Sequence, residues 1–442
     1  MSDTIVLGAG VVGLAAALML ARDGHRVTVL ERDPAPLPHD PDDAWARWAR
    51  GGVAQFRQTH YLQPRGRLVL DAELPDVREA LAAAGAIRFD PLSVMPPTVT
   101  DRAPRPGDER FVTYNARRST LELVLGRAAE AQDGLEVRRG VEAAAIELEG
   151  RHATAVRTKD GERIAAELIV DAMGRRSPLP KLLGEPVQEE TDDAGFLYYT
   201  RYFRGEQPRV LAPLLSPVGS FSVLTIPADN GTWSVTIYAA AGDQPLKTLR
   251  DPERWTALVR SCPRHAHWLE GEPLTGVLAM GGANRRRRAS GTVAGLVSLG
   301  DAWATTSPSL GRGVTLGLLQ ASLLRRLARE SRHAELTARF AADTERELGP
   351  WYEATVAADR ERLAEIEALR NGGPPPPPSP LSRAMAADAD VFRAGVEILG
   401  CLALPQEVFS RPGFAARVTE LAAGVPGHAL GPERQELLTV LR

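Results

Sequence analysis

The chain has 442 residues, 44% of them hydrophobic and 25% charged, which is typical of a globular protein with two or three domains. The formal net charge of −3 gives no reason to expect a nucleic-acid or acidic-membrane partner. Cys262 and Cys401 fit neither a disulfide framework nor a metal motif, and no apolar run reaches the length of a membrane span. The two cysteines without a disulfide pattern lead us to expect a reducing cytoplasm. The apolar N-terminus carries Asp3 and lacks a basic leader, so we expect no signal peptide.

The first predicted element is a short β-branched strand that runs into the G-x-G-x-x-G turn of Gly8, Gly10 and Gly13. An alanine-rich helix and a second strand ending at Glu31 follow. Strand, glycine turn, helix, strand and acid form a dinucleotide-binding unit, in which Gly10 lets the backbone approach a pyrophosphate at a helix N-terminus. Glu31, with Arg32 beside it, is predicted to bind at the ribose. The pattern does not say which dinucleotide binds.

Two further motifs follow much later in the chain, each after a predicted buried strand. The second motif has the form D-x-x-G-x-x-S and consists of Asp171, Gly174 and Ser177. The third is G-D-A followed by a loop rich in proline and glycine, and its residues are Gly300, Asp301, Ala302, Pro308, Gly311 and Gly313. A helix-like apolar segment begins directly after this loop.

In this order the three motifs resemble those of flavin-dependent monooxygenases of the para-hydroxybenzoate-hydroxylase type. That superfamily also contains flavin halogenases, geranylgeranyl reductases and bacterial epoxidases, and the resemblance covers roughly residues 1–330. It implies that FAD is bound, that Asp301 holds the ribityl chain, and that backbone amides from Gly311 to Val314 face the pyrimidine side of the ring. A helix N-terminus favours the negative charge that reduced flavin carries there. The loop departs from the family pattern in lacking a histidine and in having Arg312 beside the ring.

Two shorter segments also resemble family members. Arg57 and His60 match part of a Gln-x-Arg-His-x-His segment of bacterial flavin epoxidases, with Gln58 in place of the first histidine. We expect Arg57 to contact the FAD phosphate or ring, with a surface ion pair as the alternative. His60 is a candidate substrate contact, although a lone histidine is often structural. Arg118 begins an Arg-x-x-Leu-Glu helix and is expected at the cofactor.

The predicted fold class is α/β: a Rossmann-like FAD-binding domain of the GR2 type, an inserted antiparallel substrate sheet and a C-terminal helical region. We assign residues 1–178 plus 281–330 to the FAD domain and 179–280 to the sheet, where Asn230-Gly231 predicts a hairpin. Residues 331–442 are predicted to be helical, with a break at Gly349-Pro350 and a stiff proline-rich linker at 371–380.

The sheet and its flank contain further candidates. Tyr198, Tyr199, Tyr202, Phe221 and Trp233 are candidate substrate contacts, with core packing as the alternative reading. Arg285–Arg288 is interpreted as a solvated face rather than a phosphate site.

The resemblance implies a monooxygenase that uses O2 and a flavin C4a-hydroperoxide to epoxidise or hydroxylate a small, largely apolar specialised metabolite. Such chemistry needs few acid or base side chains, which suits a sequence without such a constellation. NADPH or NADH would supply electrons, directly or through a separate flavin reductase. Two alternative functions remain: an isoprenoid reductase and a non-redox flavin-assisted cyclase. A halogenase is disfavoured because its G-W-x-W-x-I-P segment is missing, and a non-catalytic scaffold is disfavoured because both halves of an FAD site are present.

Overall fold

The computed structural model describes residues 2–193, 195–281, 284–331, 333–374, 379–423 and 431–442. The strands are β1 (Asp3–Leu7), β2 (Arg26–Glu31), β3 (Ile87–Phe89), β4 (Thr113–Asn115), β5 (Leu135–Arg139), β6 (Ala143–Glu149), β7 (His152–Thr158), β8 (Arg163–Ala165), β9 (Leu168–Asp171), β10 (Glu189–Asp193), β11 (Phe196–Arg204), β12 (Leu215–Val218), β13 (Phe221–Pro227), β14 (Thr232–Ala240), β15 (Glu272–Pro273), β16 (Leu278–Met280), β17 (Asn284–Arg288), β18 (Leu296–Ser298) and β19 (Ala304–Thr305).

The helices are α1 (Val11–Arg22), α2 (Pro41–Arg47), α3 (Pro64–Glu73), α4 (Pro75–Ala83), α5 (Arg118–Glu130), α6 (Leu179–Leu183), α7 (Pro252–Arg260), α8 (Gly313–Glu330), α9 (His333–Arg370), α10 (Pro380–Met385), α11 (Ala389–Leu399), α12 (Pro405–Phe409), α13 (Phe414–Ala423) and α14 (Arg434–Val440). Among the described helices, none has a stretch long and apolar enough to cross a membrane.

A five-stranded parallel sheet forms the centre of the fold, in the order β18-β9-β1-β2-β5. Its inner strands are continuous apolar runs because helices α1, α5 and α8 cover one face and the three-stranded sheet β6-β7-β8 packs near the other. Since all five strands run the same way, the carboxyl ends of β1, β2, β9 and β18 meet at one edge. The three glycine motifs, separated by up to three hundred residues, therefore converge there.

A second sheet is antiparallel in the order β12-β13-β14-β11-β15, with β16 also paired to β11. Its hairpin turns at Asn230 and Gly231, both with positive φ, as the Asn-Gly pair predicted. Alternate residues of β11 and β14 point to opposite faces. One face packs on α7 and buries the aromatic side chains of Tyr199, Phe203 and Trp233.

The predicted break at Gly349-Pro350 is wrong, because α9 continues through Pro350 to Arg370. Leu348, Trp351 and Tyr352 on either side of the proline are buried in one apolar cluster. That packing holds the two halves together although proline removes one helical hydrogen bond. The chain breaks earlier instead, at Ser331, where α8 ends in extended backbone. Of the proline-rich linker, Pro375–Pro378 lie outside the described residues.

The arginine run forms β17, and the prediction of a solvated face is wrong for Arg288. It pairs with β10 on one side and β19 on the other, and Arg288 is buried. Arg286 donates to the backbone carbonyls of Arg175 (2.8 Å) and Asp301 (2.9 Å), and Arg288 donates to that of Ser177 (3.0 Å). The side chain of Arg286 therefore joins the second motif to the third, and that of Arg288 holds the second motif. The side chain of Arg285 lies outside the described part of the chain.

Candidate cofactor site

A long cavity follows the carboxyl edge of the parallel sheet and joins all three motifs. Many of the residues predicted to bind the cofactor line it, namely Gly8, Gly10, Glu31, Arg32, Arg118, Gly174, Asp301, Pro308, Gly311, Arg312, Gly313 and Val314. Four others, Gly13, Arg57, Asp171 and Gly300, are not part of the lining. The cavity thus gathers side chains and backbone from both ends of residues 1–330.

The first glycine motif is shaped by close backbone contacts. Gly8 has φ of +102°, and a Cβ there would lie 2.8 Å from the carbonyl oxygen of Ala172. A Cβ on Gly13 would lie 2.1 Å from the carbonyl oxygen of Gly8, so Gly13 serves the packing of α1 on β1. At Gly10, by contrast, the nearest atom to such a Cβ is Arg118 Nη2 at 3.9 Å. Gly10 therefore leaves open space beside the start of α1.

Glu31 lies at the end of the cavity beside β2. Its Oε2 accepts hydrogen bonds from Ala9 N and from Arg50 Nη2, both at 2.9 Å, and its Oε1 accepts one from Asp33 N at 2.9 Å. Arg50 is buried, lines the cavity and also lies 3.4 Å from the carboxylate of Glu122. Sequence reasoning missed Arg50; the signal was an arginine directly before the pair Gly51-Gly52.

Arg118 and His60 lie together in the middle of the cavity. Arg118 Nη1 is 3.2 Å from His60 Nε2, and His60 Nδ1 is 2.9 Å from the carbonyl oxygen of Gln58. A guanidinium can only donate, so Nε2 accepts and Nδ1 carries the proton. Burial, aided by the Arg118 charge, lowers the pKa of His60 to about 3. His60 is therefore neutral and oriented at physiological pH.

The third motif forms the other end of the cavity. Burial raises the pKa of Asp301, while the charges of Arg118, Arg175 and Arg286 oppose the rise. Gln55, another residue that sequence reasoning missed, donates to Asp301 Oδ2 at 3.4 Å. Gly311 turns the loop with φ of +62°, and α8 begins at Gly313. The backbone of this loop faces the cavity, whereas the guanidinium of Arg312 binds residues of the C-terminal helices.

Asp171 and Gly300 shape the loops behind the cavity. Asp171 accepts hydrogen bonds from Met173 N (3.1 Å) and Ser177 Oγ (2.6 Å), and burial raises the pKa of its carboxyl. The amide of Gly300 donates to Gln320 Oε1 at 2.6 Å. Asp171 and Gly300 thus stabilise two turns, and the residues that follow them in the chain line the cavity.

Arg57 lies on the surface away from the cavity. It donates to the carbonyl oxygen of Ala46 at 3.2 Å, and its guanidinium carbon is 5.9 Å from the centroid of the Trp45 ring. Arg57 is therefore not among the predicted site residues that the cavity brings together.

The aromatic residues predicted to contact substrate also lie elsewhere. Tyr199, Phe221 and Trp233 are 0–1% exposed in the core between the second sheet and α7. The alternation of side chains along β11, β13 and β14 turns them away from the cavity. Tyr198 and Tyr202 point the other way, towards the cavity wall, but are themselves buried behind it. For Tyr199, Phe221 and Trp233, the structure agrees with the alternative interpretation, which is packing in the core.

The wall between the cavity and the second sheet is built from neutral polar side chains. Thr59 Oγ1 lies 2.8 Å from the hydroxyls of Ser234 and Thr236, and Thr200 donates to Gln58 Oε1 at 2.9 Å. Gln58 and Thr59 line the cavity together with Met280 and Ser307. Sequence reasoning missed this wall because its members come from five separate segments.

The residues present fit FAD. The open space at Gly10 lies at a helix N-terminus, where a pyrophosphate is stabilised. Arg50 Nη1 is buried without a hydrogen-bond partner among the described residues, so it has a donor free for an anionic or hydroxyl-bearing ligand. Asp301 at the far end is a buried carboxylate that can accept hydrogen bonds from hydroxyls. The site thus has complementary groups for both halves of the cofactor.

Comparison with known proteins agrees with this geometry. The family model described as FAD dependent oxidoreductase matches residues 3–267. Protein Rv3254 of Mycobacterium tuberculosis is 29% identical over 380 residues, which cover 77% of this chain and 76% of that protein. Two solved structures share the fold. PqsL, a probable FAD-dependent monooxygenase from Pseudomonas aeruginosa, has a TM-score of 0.61 at 18% identity, covering 83% of this chain and 99% of that one. The Diels-Alderase PyrE3 of pyrroindomycin biosynthesis has a TM-score of 0.63 at 19% identity, covering 91% and 81%.

Proposed function

The chain belongs to the FAD dependent oxidoreductase family, and from that premise we propose that it is a monooxygenase acting on a small, largely apolar metabolite. It would transfer one oxygen atom of O2 by epoxidation or hydroxylation. Reduced FAD, when bound, supplies oxygen activation and transfer. The protein must then position the cofactor and keep water from the reacting centre.

The observation that carries this proposal is the neutral wall beside the loop of the third motif. Gln58, Thr59, Met280 and Ser307 carry no charge, and the nearby His60 is held neutral. A reaction that relied on a side-chain acid or base would need a titratable group here. A neutral wall suits oxygen transfer to an uncharged substrate, for which positioning and dryness are the main requirements.

We assign the following roles to the cavity residues. Glu31 accepts hydrogen bonds from the ribose hydroxyls, and Gly10 gives the pyrophosphate access to the N-terminus of α1. Arg118 and Arg50 add positive charge near the phosphates. Asp301 accepts from the ribityl hydroxyls, and the amides of Gly311–Val314 stabilise negative charge on the reduced ring.

The same proposal divides the chain into three parts. Residues 1–178 plus 281–330 form the FAD-binding domain, 179–280 the substrate sheet and 331–442 the C-terminal helical region. NADPH or NADH supplies the electrons, either directly or through a separate flavin reductase.

The test is rapid mixing of oxygen with purified, FAD-loaded, chemically reduced protein while the flavin spectrum is recorded. We expect an absorbing species distinct from both reduced and oxidised flavin before the oxidised spectrum returns. Free reduced FAD under the same conditions is the control. A single-step return at the rate of free flavin, with and without alkene and arene test compounds, would contradict the proposal. That result would favour an isoprenoid-type reductase or a non-redox cyclase.

A further inference from the structure

The loop of residues 307–313, called here the glycine loop, is held from behind by the C-terminal helical region. Arg312 is only 3% exposed although it belongs to a loop. Its Nη1 donates to Thr355 Oγ1 on α9 at 3.0 Å, and its Nη2 donates to the carbonyl oxygen of Ile398 on α11 at 3.4 Å. Its guanidinium carbon lies 5.2 Å from the centroid of the Trp351 ring. One side chain thus joins the loop to two helices.

Two neighbouring contacts fix the same loop. Ser309 Oγ donates to Asp359 Oδ1 on α9 at 2.7 Å, and Ser307 Oγ donates to Ser309 Oγ at 3.1 Å. From the opposite side, Gln63 Nε2 donates to the carbonyl oxygen of Leu310 at 2.8 Å. The loop therefore has few degrees of freedom left before any ligand arrives, and α9 supplies most of the restraint.

The buried guanidinium also contributes charge at this place. Arginine stays protonated in proteins, and Arg312 is the N-cap of α8, so the residue that carries this positive charge also begins the helix behind the loop. Asp359 on α9 is the acidic side chain whose charge acts on Arg312. The same carboxylate also acts on the hydroxyls of Tyr198 and Tyr238 in the second sheet.

We propose that Arg312 is a positioning residue of the cofactor site, which fixes the glycine loop against α9 and α11 and makes the site more favourable for the reduced, negatively charged cofactor. This inference rests on the proposed function, since it assumes that the glycine loop meets the flavin ring. It makes the C-terminal helical region an integral part of the cofactor site rather than an appendage.

The experiment measures the FAD dissociation constant and the midpoint potential of bound FAD in three variants of the full chain. R312Q removes the charge and the clamp, T355V removes one hydrogen bond and keeps the charge, and E353Q is the control. Glu353 lies on the same helix two residues before Thr355 and pairs with Arg287, away from the loop. Circular dichroism and apo-protein melting show whether each variant folds.

We expect R312Q to raise the FAD dissociation constant by on the order of tenfold or more, because hydrogen bonds of a charged group are lost. Its midpoint potential should shift to more negative values. T355V should weaken FAD binding less and leave the potential near that of wild type, since the guanidinium remains. E353Q should match wild type in both measurements.

Wild-type protein that binds no FAD would refute the proposed function itself. If wild type binds FAD and folded R312Q has the same dissociation constant and potential as E353Q, the inference about Arg312 is wrong while the FAD site stands. If R312Q does not fold, the result for T355V is decisive. An FAD affinity of T355V equal to that of wild type would refute the proposal that Arg312 fixes the glycine loop against α9.

Discussion

Gly10 and Gly13 belong to one motif, yet the structure predicts different consequences for replacing each with alanine. A Cβ at position 10 meets nothing closer than 3.9 Å, whereas a Cβ at position 13 comes within 2.1 Å of the carbonyl oxygen of Gly8. That carbonyl belongs to a turn fixed by the hydrogen bond from Gly8 N to the carbonyl oxygen of Leu30 at 2.8 Å. G10A should therefore impair the ligand site alone, and G13A the fold as well.

The sizes of the two effects follow from these distances. Gly10 is the N-cap of α1, where alanine costs about 1 kcal/mol relative to glycine, and the reduced freedom of the unfolded chain returns roughly 0.4–1 kcal/mol. The net change for G10A is thus within about 1 kcal/mol. G13A gains about 1 kcal/mol in helix propensity but suffers an overpacking penalty of about 3 kcal/mol or more, because backbone must move.

FAD affinity gives the complementary readout. A methyl group at position 10 would occupy the space that we assign to the pyrophosphate, so charge-assisted hydrogen bonds worth about 1.5–3 kcal/mol are lost. The FAD dissociation constant of G10A should rise roughly 10–100-fold. The measurement pairs equilibrium FAD binding, followed by flavin fluorescence, with urea unfolding of the apo proteins.

Wild-type FAD affinity in G10A would refute the placement of the pyrophosphate at this helix N-terminus. Equal apo stability of G13A and G10A would show that the close contact between Gly13 and Gly8 can relax, and would refute the argument from packing.

Three further predictions concern other buried groups. E31Q should weaken FAD binding, measured by fluorescence titration. An amide has one acceptor oxygen and no negative charge, so glutamine cannot both bind Arg50 and accept hydrogen bonds from the ribose as the carboxylate does. D229A should lower the free energy of urea unfolding by about 3 kcal/mol, because it removes the buried carboxylate that binds the buried Arg117 at 2.7 Å and leaves the half-exposed Asp42, at 3.0 Å, as a weaker partner; an effect below about 1 kcal/mol would contradict this. His265 is 1% exposed, neither ring nitrogen has a hydrogen-bond partner among the described residues, and burial lowers its pKa to about 4. In the unfolded chain this histidine takes up a proton near pH 6.5, whereas in the folded protein it does so only near pH 4. The free energy of unfolding should therefore fall by roughly 3 kcal/mol, for a pKa shift of about 2.5, as the pH is lowered from 7 towards 4. H265F should show a smaller drop in unfolding free energy than wild type between pH 7 and pH 4.5, and identical pH profiles would refute the assignment.

The sequence determined the parts of this protein that depend on local backbone chemistry. The strand, glycine turn, helix and acid of residues 3–31 follow from φ requirements and hydrophobic periodicity, both of which a short segment contains. The Asn230-Gly231 hairpin was predictable for the same reason. The three motifs converge because parallel strands end at one edge, so their order also indicated the family.

Only the tertiary structure decided matters that depend on long-range packing. Pro350 stays inside a helix because Leu348 and Trp351 are buried on both sides of it, which no local rule states. Arg288 is buried and Arg286 is half-buried, because strand alternation turns both side chains towards the loops of the second and third motifs. Arg312 lies beside Gly311, which lines the cavity, yet its side chain points to the C-terminal helices. The hydrogen-bond acceptors that orient it lie on α9 and α11, 43 and 86 residues later in the chain. Such partners cannot be read from neighbouring sequence, since the energy of a buried polar group depends on where the rest of the chain places its hydrogen-bond partners.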